Sequence, residues 1–419
     1  MNTNKYIPSV EAIEKASCVL EEILDPTPFQ RNQNLSDLYD AEVYLKREDL
    51  QMVRSYKIRG AYNKIRSIEP ETLKSGIVCA SAGNHAQGVA FSCNKLKIIG
   101  SIFMPTTTPK QKIEQVRMFG REYIDIVLTG DTFDAANSAA IEFAKKSGRT
   151  FIPPFDDPKV MEGQGTIGRE ILNQAKEKLD YIFVPIGGGG LASGLGSYIK
   201  QVSPETKIIG VEPGGAPCMK RAIEEGRVIK LDHIDKFVDG AAVQEAGSLT
   251  YEVCKEVLDD IVVVPEGAVC TTIINMYNKS AIVVEPAGAL ATAALRFYAD
   301  RIRGKRVACI VSGSNNDITR MEEIREKSLL YEGLKHYFLV NFPQKSGAVL
   351  SFIRDVIGPT DDLVYIQYIK KTNKESGPAL IGIEVASKEG FSALIQRMES
   401  HNVKFEYINE NNKLFEILI

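Results

Sequence analysis

The stretch that decides the fold class is Tyr181-Ile182-Phe183-Val184-Pro185-Ile186-Gly187-Gly188-Gly189-Gly190-Leu191. Its first six residues form a short apolar run with β-branched and aromatic side chains, which is typical of a strand buried on both faces. Four consecutive glycines end that run, and a helical pattern begins at about Leu191. A strand, a glycine-rich turn and a helix in this order predict a parallel sheet covered by helices.

The same alternation of strand-like and helix-like segments extends from about residue 20 to residue 320. Other short apolar runs lie at residues 76–80, 207–211 and 307–311, each bounded by Gly, Ser or Pro. Helical stretches, predicted at 131–147 and 168–178 among others, separate several of these runs. We therefore predict an α/β domain, followed by a charged connecting helix over residues 317–331.

The last 85 residues or so have the pattern of a separate unit. Strands are predicted at 336–341, 363–370 and 379–385, with an extended stretch at the C-terminal end, and helices at 348–357 and 388–400. Turns are predicted at 343–347 and 373–378. The resulting order, β-α-β-β-α-β, is that of a ferredoxin-like domain.

Composition excludes several classes of protein. The chain has 419 residues, 25% of them charged, and a formal net charge of −3, without a basic stripe that would favour nucleic acid. It has no apolar run near the roughly 20 residues that span a bilayer, and its first residues lack the apolar core of a secretion signal. Seven scattered cysteines and four separated histidines argue against disulfides and a metal cluster. We expect a cytoplasmic protein without a membrane or nucleic-acid partner.

The segment Ser55-Tyr56-Lys57-Ile58-Arg59-Gly60-Ala61 contains the first candidate catalytic residue. A lysine amine becomes nucleophilic when a desolvated site lowers its pKa, so Lys57 is a candidate for covalent attachment to an aldehyde cofactor. Tyr56 beside it is a candidate for packing near a flat ring. The alternative is an ordinary charged helix start with a packed tyrosine.

The segment Ser81-Ala82-Gly83-Asn84-His85-Ala86-Gln87-Gly88 follows the strand at 76–80 and opens a helix that we expect to reach about Leu96. Free backbone amides at a helix start attract anions, and small residues let a carboxylate approach them. The alternative is a tight turn in which Asn84 caps the helix and His85 is structural.

The four glycines at 187–190 favour phosphate binding, because successive amides without side chains can surround a phosphate. Two phosphate interpretations remain open. Gly187, Gly189 and Ala192 satisfy a dinucleotide fingerprint, with Glu212 placed where a ribose-binding acid would lie. A mononucleotide-like cup uses all four glycines and needs no acid. A purely structural turn is less favourable, since four glycines carry a large entropic cost.

The segment Val311-Ser312-Gly313-Ser314-Asn315 follows a late strand. Ser312 is predicted at the carboxyl edge of the sheet, where open α/β folds bind ligands. Its hydroxyl is a candidate partner for a pyridine nitrogen, and the alternative is a serine-rich turn.

In this order and spacing, the segments resemble the fold-type-II enzymes that depend on pyridoxal 5'-phosphate (PLP), and most closely the threonine dehydratases of isoleucine biosynthesis. The resemblance covers nearly the whole chain and also rests on Asp239-Gly240-Ala241-Ala242-Val243 and Glu285-Pro286-Ala287-Gly288-Ala289. It implies a two-lobed, tryptophan-synthase-β-like domain over residues 1–325, with an inner lobe at about 50–155. It also implies conversion of L-threonine to 2-oxobutanoate and ammonia.

The resemblance also implies a role for each candidate residue. Lys57 would hold PLP and move the α-proton, beside Tyr56, while Asn84 would bond the ring oxygen of the cofactor. Ser312 would face the ring nitrogen, and Glu285 would lie near the ring. The remaining assignments group by the ligand held. The cofactor phosphate would be held by Gly187, Gly188, Gly189, Gly190 and Leu191, and the substrate carboxylate by Ser81, Gly83, Asn84 and His85.

Two departures from related proteins carry predictions. Similar racemases have a second serine at the position of Ala82, which delivers a proton to the opposite face, so alanine here implies dehydration without racemisation. Some relatives bind a divalent cation through a glutamate like Glu212 and an aspartate six residues later. That later position is Cys218 here, and hard cations prefer oxygen, so we predict no required metal.

Residues 333–419 resemble the single ACT-like regulatory domain of the short dehydratases. This implies isoleucine as effector and a homo-oligomer, either a dimer or a tetramer, although the domain could instead only assist assembly. Two other functions remain open. One is a dehydratase with L-serine or a broad range of hydroxy amino acids as substrate, and the other is a catalytically inactive amino-acid sensor.

Overall fold

A computed structural model of the chain describes residues 6–369, 375–411 and 415. The chain divides into two compact units, Met1–Ile318 and Thr319–Ile419. Among the described residues, no helix combines the length and the apolar character needed to cross a bilayer.

The first unit contains ten strands and fourteen α-helices among its described residues. The strands are β1 (Phe29–Arg31), β2 (Glu42–Arg47), β3 (Ile77–Ala80), β4 (Gly100–Met104), β5 (Ile124–Leu128), β6 (Thr150–Phe151), β7 (Tyr181–Pro185), β8 (Lys207–Pro213), β9 (Asp260–Val264) and β10 (Arg306–Val311). The helices are α1 (Val10–Leu20), α2 (Gln33–Tyr39), α3 (Lys57–Arg66), α4 (Pro70–Leu73), α5 (Asn84–Leu96), α6 (Lys110–Gly120), α7 (Phe133–Ser147), α8 (Pro158–Gln174), α9 (Gly190–Val202), α10 (Cys218–Glu225), α11 (Ser248–Val257), α12 (Glu266–Ser280), α13 (Pro286–Ala293) and α14 (Ala299–Ile302).

The larger sheet of this unit has the order β1-β2-β10-β7-β8-β9. Its strands run parallel except β1, which pairs antiparallel with β2. The interior of β7 and β10 is buried on both faces, as expected for strands covered by helices. The predicted parallel sheet is therefore confirmed.

The smaller sheet has the order β5-β4-β3-β6, and all of its strands are parallel. The chain leaves the larger sheet after β2, builds the smaller sheet, and returns to the larger one at β7. The smaller sheet thus lies within the range proposed for the inner lobe.

Helix α8 corrects the prediction of a helix at 168–178, because it begins ten residues earlier. Pro158 occupies its first position, and the Asp157 carboxylate caps it by accepting from the amides of Lys159 and Val160. The glycines in its first half serve close packing. A Cβ at Gly163 would lie 2.6 Å from the Arg59 carbonyl oxygen in α3.

The second unit contains α15 (Met321–Tyr331), β11 (Lys335–Pro343), α16 (Ala348–Val356), β12 (Asp362–Tyr368), β13 (Ser376–Glu384), α17 (Lys388–Ser400) and β14 (Lys404–Tyr407). Its antiparallel sheet has the order β12-β13-β11-β14, with α16 and α17 contributing buried side chains to the same core. The predicted ferredoxin-like order is therefore confirmed.

The predicted turn at 373–378 needs correction, because residues 376–378 belong to β13. Among the described residues, Pro378 pairs only with Asn341 of β11, since β12 ends opposite Ala379. A proline is tolerated there, because only one neighbouring strand would have used its amide. Residues 370–374, and most of the predicted stretch beyond residue 411, lie outside the described residues.

Candidate active site

Three of the predicted segments lie at the carboxyl ends of parallel strands. The loop before α5 follows β3, the four glycines follow β7, and Ser312 follows β10. This edge is where open α/β sheets bind ligands.

A short backbone ladder brings the Lys57 segment to the end of β10. The amide of Tyr56 donates to the Ser312 carbonyl (3.1 Å), and the amide of Ser314 donates to the Arg54 carbonyl (2.9 Å). These contacts place the N-terminal end of α3, which begins at Lys57, beside Ser312. Two segments about 255 residues apart in sequence therefore meet, as the catalytic hypothesis requires.

The Lys57 side chain is partly buried, and its amine donates to the Pro154 carbonyl oxygen at 3.0 Å. Burial lowers the pKa of this amine from 10.5 to about 8, although the charge of Glu285 acts in the opposite sense. A substantial fraction of the amine is then neutral near pH 8, and the neutral form is the nucleophile. The ring of Tyr56 lies beside it, with its centroid 5.5 Å from the Lys57 nitrogen.

This pKa leads to a prediction for the protein stripped of cofactor. We expect the rate of PLP uptake by the apoenzyme to rise with pH through about 8, because deprotonation of Lys57 supplies the reactive amine. Stopped-flow absorbance at constant ionic strength measures this rate. A midpoint near the ordinary lysine value of about 10.4 would contradict the lowered pKa.

The loop before α5 leaves backbone amides free. Gly83 is the N-cap of the helix and has no side chain to accept from the first turn, so the amides of Asn84 and His85 lack helical partners. The Ser81 hydroxyl accepts from the Gly83 amide at 3.2 Å. A Cβ at Gly83 would meet no atom within 4 Å, so the space next to these amides is open. The alternative interpretation, in which Asn84 caps the helix, is wrong, since Asn84 is the first helical residue.

The side chain of Asn84 instead contacts Glu285, donating from Nδ2 to Oε1 at 2.7 Å. Burial and the nearby charge of Asp239 raise the pKa of Glu285 to about 7, although Asn84 and Lys112 favour its ionised form. Glu285 immediately precedes α13, and Asn84 begins α5, so this bond joins the two sheet layers of the unit at the candidate site.

The ring of His85 is engaged away from this loop. Its Nε2 donates to the Ile152 carbonyl at 3.0 Å, and the side chain is buried. Burial, assisted by the charge of Lys57, lowers the pKa of His85 to about 3, so the ring is neutral at physiological pH. The prediction that His85 grips a carboxylate therefore concerns its backbone amide rather than its ring.

The glycine loop turns its carbonyls into the protein. Gly187 accepts from the Cys218 thiol at 3.6 Å, and Gly188 accepts from the Thr250 hydroxyl at 2.5 Å. In a planar trans peptide the following amide points the opposite way, and no cis bond occurs in the described chain. No described residue accepts from the amides of Gly188 or Gly189. The loop thus presents unpaired donors, which fits a phosphate.

Leu191 follows the four glycines and could contribute to the phosphate cup, residues 187–191, only through its backbone. Its side chain is buried in the core of the larger sheet with residues such as Val184 and Leu195. It lies in the first turn of α9, so its backbone amide has no helical partner. Only this amide is available for the phosphate contact that we predicted.

Phe155 requires glycine in this loop. A Cβ at Gly188 would lie 2.4 Å from the Phe155 ring, and one at Gly190 would lie 2.9 Å from the Cβ of Phe155. Gly189 has φ of +93°, which L side chains rarely adopt. The loop could not keep this conformation with larger residues.

We predict that Gly188→Ala weakens PLP binding by about tenfold or more, because overpacking of one methyl typically costs 1–3 kcal/mol. Fluorescence titration of the apoenzyme with PLP measures the dissociation constant. Gly390→Ala, in the first turn of α17, serves as the control and should bind PLP as the wild type does. Unchanged affinity in the Gly188 variant would argue against this loop as the phosphate site.

Ser312 is buried at the end of β10, and its hydroxyl donates to the Ala287 carbonyl at 3.1 Å. The predicted bond to a ring nitrogen requires this hydroxyl to rotate away from Ala287. A serine can do so at little cost, because its proton has no fixed direction.

Sequence reasoning missed several residues that support the site. Pro154 and Phe155 contact Lys57 and the glycine loop, and Asp156 accepts from the backbone amide of Thr250 at 3.0 Å. The sequence contains no local signal for these roles, because Asp156 and Thr250 are 94 residues apart.

The acid of the dinucleotide fingerprint has another partner. Both carboxylate oxygens of Glu212 accept from backbone amides at the start of α10, those of Met219 and Lys220, at 2.8 Å each. The two amides satisfy the buried Glu212 carboxylate, so its presence does not require a bound nucleotide. No group of three or more His, Cys, Asp or Glu that could hold a metal ion occurs in the described part of the chain.

These features fit PLP. The cup supplies free amides for its phosphate, Lys57 supplies a partly neutral amine for its aldehyde, and Asn84 and Ser312 supply hydrogen-bonding groups nearby. Burial also lowers the pKa of Lys46, but that amine donates to the Glu170 carboxylate at 2.6 Å.

Comparisons with known proteins agree with this reading. Residues 20–313 match the family model described as pyridoxal-phosphate dependent enzyme, and residues 326–418 match the C-terminal regulatory domain of threonine dehydratase. The chain is 55% identical over 410 residues to the biosynthetic L-threonine dehydratase IlvA of Halalkalibacterium halodurans, covering 98% of this chain and 99% of that one. It is 53% identical to the enzyme of the same name from Bacillus subtilis, covering 98% and 97%.

Solved structures show the same likeness. The processed form of threonine deaminase isoform 2 from Solanum lycopersicum is 40% identical with a TM-score of 0.73, covering 76% of this chain and 88% of that one. A maize serine racemase is 28% identical with a TM-score of 0.71, covering 78% and 99%.

Proposed function

Because the chain belongs to the pyridoxal-phosphate-dependent enzymes, and within them to the biosynthetic threonine dehydratases, we propose that the candidate site binds PLP and L-threonine through the residues named above. The enzyme removes water and ammonia from L-threonine to give 2-oxobutanoate, the first step of isoleucine biosynthesis. The observation that carries the site assignment is the partly buried Lys57 amine, which lies 3.0 Å from the Pro154 carbonyl oxygen, has a pKa lowered to about 8, and belongs to the helix that starts beside the end of β10.

The cofactor, when bound, withdraws electrons from the α-carbon of the substrate. Lys57 would hold its aldehyde until the substrate amine takes its place, and the freed Lys57 amine would then take the α-proton. The β-hydroxyl would leave with a proton as water. Water is taken up as ammonia is released, so the atoms of threonine equal those of 2-oxobutanoate and ammonia. The amides at the start of α5, with Ser81, bind the substrate carboxylate and so orient the α-proton toward Lys57.

The remaining groups hold the cofactor. The amides of residues 187–191 bind its phosphate, Asn84 donates to its ring oxygen, and Ser312 donates to its ring nitrogen. Tyr56 packs near the ring, and Glu285 orders Asn84. Ala82 offers no proton to the opposite face, so the product is a keto acid and not a D-amino acid.

The test of this function follows keto-acid release from purified protein with L-threonine, and separately with L-serine. We expect a yellow protein with higher kcat/KM for threonine and no D-isomer. Higher kcat/KM for serine would favour the serine dehydratase alternative, and a colourless protein without keto-acid release would favour the inactive sensor.

The regulatory unit and the cellular setting complete the proposal. Isoleucine binds the regulatory domain at residues 333–419 and lowers activity, which requires unequal affinity for two states of the enzyme. The protein is a homo-oligomer, a dimer or a tetramer, in the cytoplasm. Its seven cysteines, all within the described residues, form no disulfide with one another, which suits a reducing compartment.

We predict that isoleucine inhibits the full-length enzyme and does not inhibit a variant that ends after residue 330. The first unit contains its own cores around both sheets, so the shortened enzyme should keep its activity. Initial rates with and without isoleucine measure this. An insensitive full-length enzyme would remove isoleucine as effector, and a sensitive truncated enzyme would place its site in the catalytic unit.

A further inference from the structure

The side chain of Asn315 joins three parts of the candidate site. Its Nδ2 lies 2.6 Å from Asn84 Oδ1, 2.8 Å from Gln87 Oε1 and 2.9 Å from the Val53 carbonyl oxygen. Its own Oδ1 is buried and accepts no hydrogen bond from the described residues. The Val53 carbonyl can only accept, so the nitrogen of the Asn315 amide, and not its oxygen, faces it, and the two hydrogens of that nitrogen are shared among the three acceptors.

The orientation of Asn315 determines that of Asn84. Since Asn84 Oδ1 accepts from Asn315, its Nδ2 faces the other way and donates to Glu285 at 2.7 Å. An amide nitrogen has two hydrogens, so one remains for another acceptor. If Asn84 turned over, its oxygen would face the Glu285 carboxylate and its nitrogen would face the Asn315 nitrogen. Both contacts would then be lost.

Asn315 also contacts Glu285 directly. Its backbone amide donates to the Glu285 carboxylate, which is the acceptor of the Asn84 side chain as well. A chain of donors thus runs from Asn315 through Asn84 to Glu285. The chain connects the end of β10 with the start of α5 and with the residue before α13.

We infer that Asn315 is a positioning residue whose side chain fixes the amide of Asn84, so that the free N–H of Asn84 is presented to the ring oxygen of the cofactor. The inference rests on the proposed function, in which Asn84 makes that bond. Asn315 itself acts through Asn84 and needs no contact with cofactor or substrate.

A double-mutant cycle tests this coupling with Asn84→Ala, Asn315→Ala and the double variant. The PLP dissociation constant and the position of the visible absorption band of the holoenzyme are measured for each protein. Asn315→Ala should weaken PLP binding by about tenfold and shift the band in the wild-type background, because it releases one hydrogen-bonded amide. In the Asn84→Ala background the same substitution should change affinity by less than about twofold.

Asn94→Ala is the matched control. Asn94 lies in α5, the helix that begins at Asn84, and its side-chain amide donates to the Phe119 carbonyl at 3.1 Å. It should leave the dissociation constant and the band unchanged. Equal effects of Asn315→Ala in both backgrounds would overturn the inference, because a purely structural role does not depend on Asn84. If Asn315→Ala does not fold, Asn315→Asp, which keeps the size and removes the donor, replaces it in the cycle with the same criterion.

The outcomes separate this inference from the function on which it rests. A wild-type protein without a visible cofactor band would refute the proposed function. A normal band in the wild type together with additive effects in the cycle would refute only the role of Asn315.

Discussion

Lys57→Ala is expected to lower kcat for L-threonine by at least about 10³-fold, within the range by which a positioned acid–base group contributes to catalysis. The variant loses both the covalent attachment of the cofactor and the group that removes the α-proton. Any remaining rate would come from the cup, the carboxylate loop and Ser312, which the substitution leaves in place. Keto-acid release under saturating PLP measures the effect.

Lys64→Ala is the matched control on the same helix. Lys64 lies seven residues after Lys57, and its amine pairs with Asp157 at 2.7 Å. Its removal should change kcat by less than about twofold, with a small loss of stability. Similar losses of kcat in both variants would mean that activity depends on the integrity of helix α3 and not on the amine of Lys57.

Borohydride reduction followed by peptide mapping gives a second measurement. Reduction fixes PLP on the lysine to which it is joined, and we expect the label in the peptide that contains Lys57 and in no other. A label on a different lysine, with residue 57 unmodified, would contradict the assignment of the whole site.

Sequence patterns predicted the parts of the fold in which the local preference of the residues matches the secondary structure that tertiary packing requires. The run at 181–186, the glycines and the following helix form one unit, because buried parallel strands, free amides and a helix start each have a local signature. The second unit was likewise predictable, since its strands and helices alternate in a known order. Its α17 begins and ends where the pattern indicated.

The pattern failed where tertiary packing overrides local preference. Helix α8 was predicted to begin at residue 168, but it begins at Pro158 and contains Gly163 and Gly165 in its first half, although glycine weakens an isolated helix. In the structure, Gly165 allows an approach in which its added Cβ would lie 2.9 Å from the Gly194 carbonyl of α9. Glycine is needed at position 165 because α9 packs so closely against it, and a single sequence does not show which helices are neighbours.

The site was predicted as a set of residues but not as a network. Each motif contributed one candidate, and resemblance supplied the roles. The contacts of Asn315 with Asn84 and Gln87 span more than 220 residues of sequence. Amide side chains have no sequence signature for the direction in which they point, so only the geometry of the acceptors defines it.

Arg59→Met is expected to lower the free energy of unfolding by about 3–5 kcal/mol, the usual result of removing one partner from a buried ion pair. Arg59 is 1% exposed and makes two hydrogen bonds of 2.8 Å to the Glu48 carboxylate, which is fully buried. It also pairs with Glu170 at 2.6 Å. The substitution leaves Glu48 buried without a cation in direct contact, and methionine does not compensate for that charge.

Arg169→Met is the control for the loss of an arginine of similar length. Arg169 pairs with Glu14 at 2.6 Å, but its side chain is 26% exposed, so water can replace the interaction. We expect a cost of at most about 1 kcal/mol. Urea unfolding of the apoenzymes measures both variants, because bound PLP would add its own stabilisation to the folded state.

The pH dependence separates the charge of Arg59 from its packing. Burial alone would raise the pKa of Glu48, but the opposite charges of Arg59 and Lys46 outweigh it and hold the pKa below 4.5. A lowered pKa stabilises the folded state above the unfolded value of about 4.3, and that stabilisation is lost as the pH falls through the folded pKa. Without Arg59, burial dominates and protonation of Glu48 becomes favourable. The difference between the free energies of unfolding of wild type and Arg59→Met should therefore begin to narrow above the unfolded value of about 4.3, as Glu48 of the variant takes up a proton, and should continue to narrow as the pH falls through the lowered pKa of Glu48 in the wild type. A difference independent of pH would show that lost packing, and not an unpaired carboxylate, destabilises the variant.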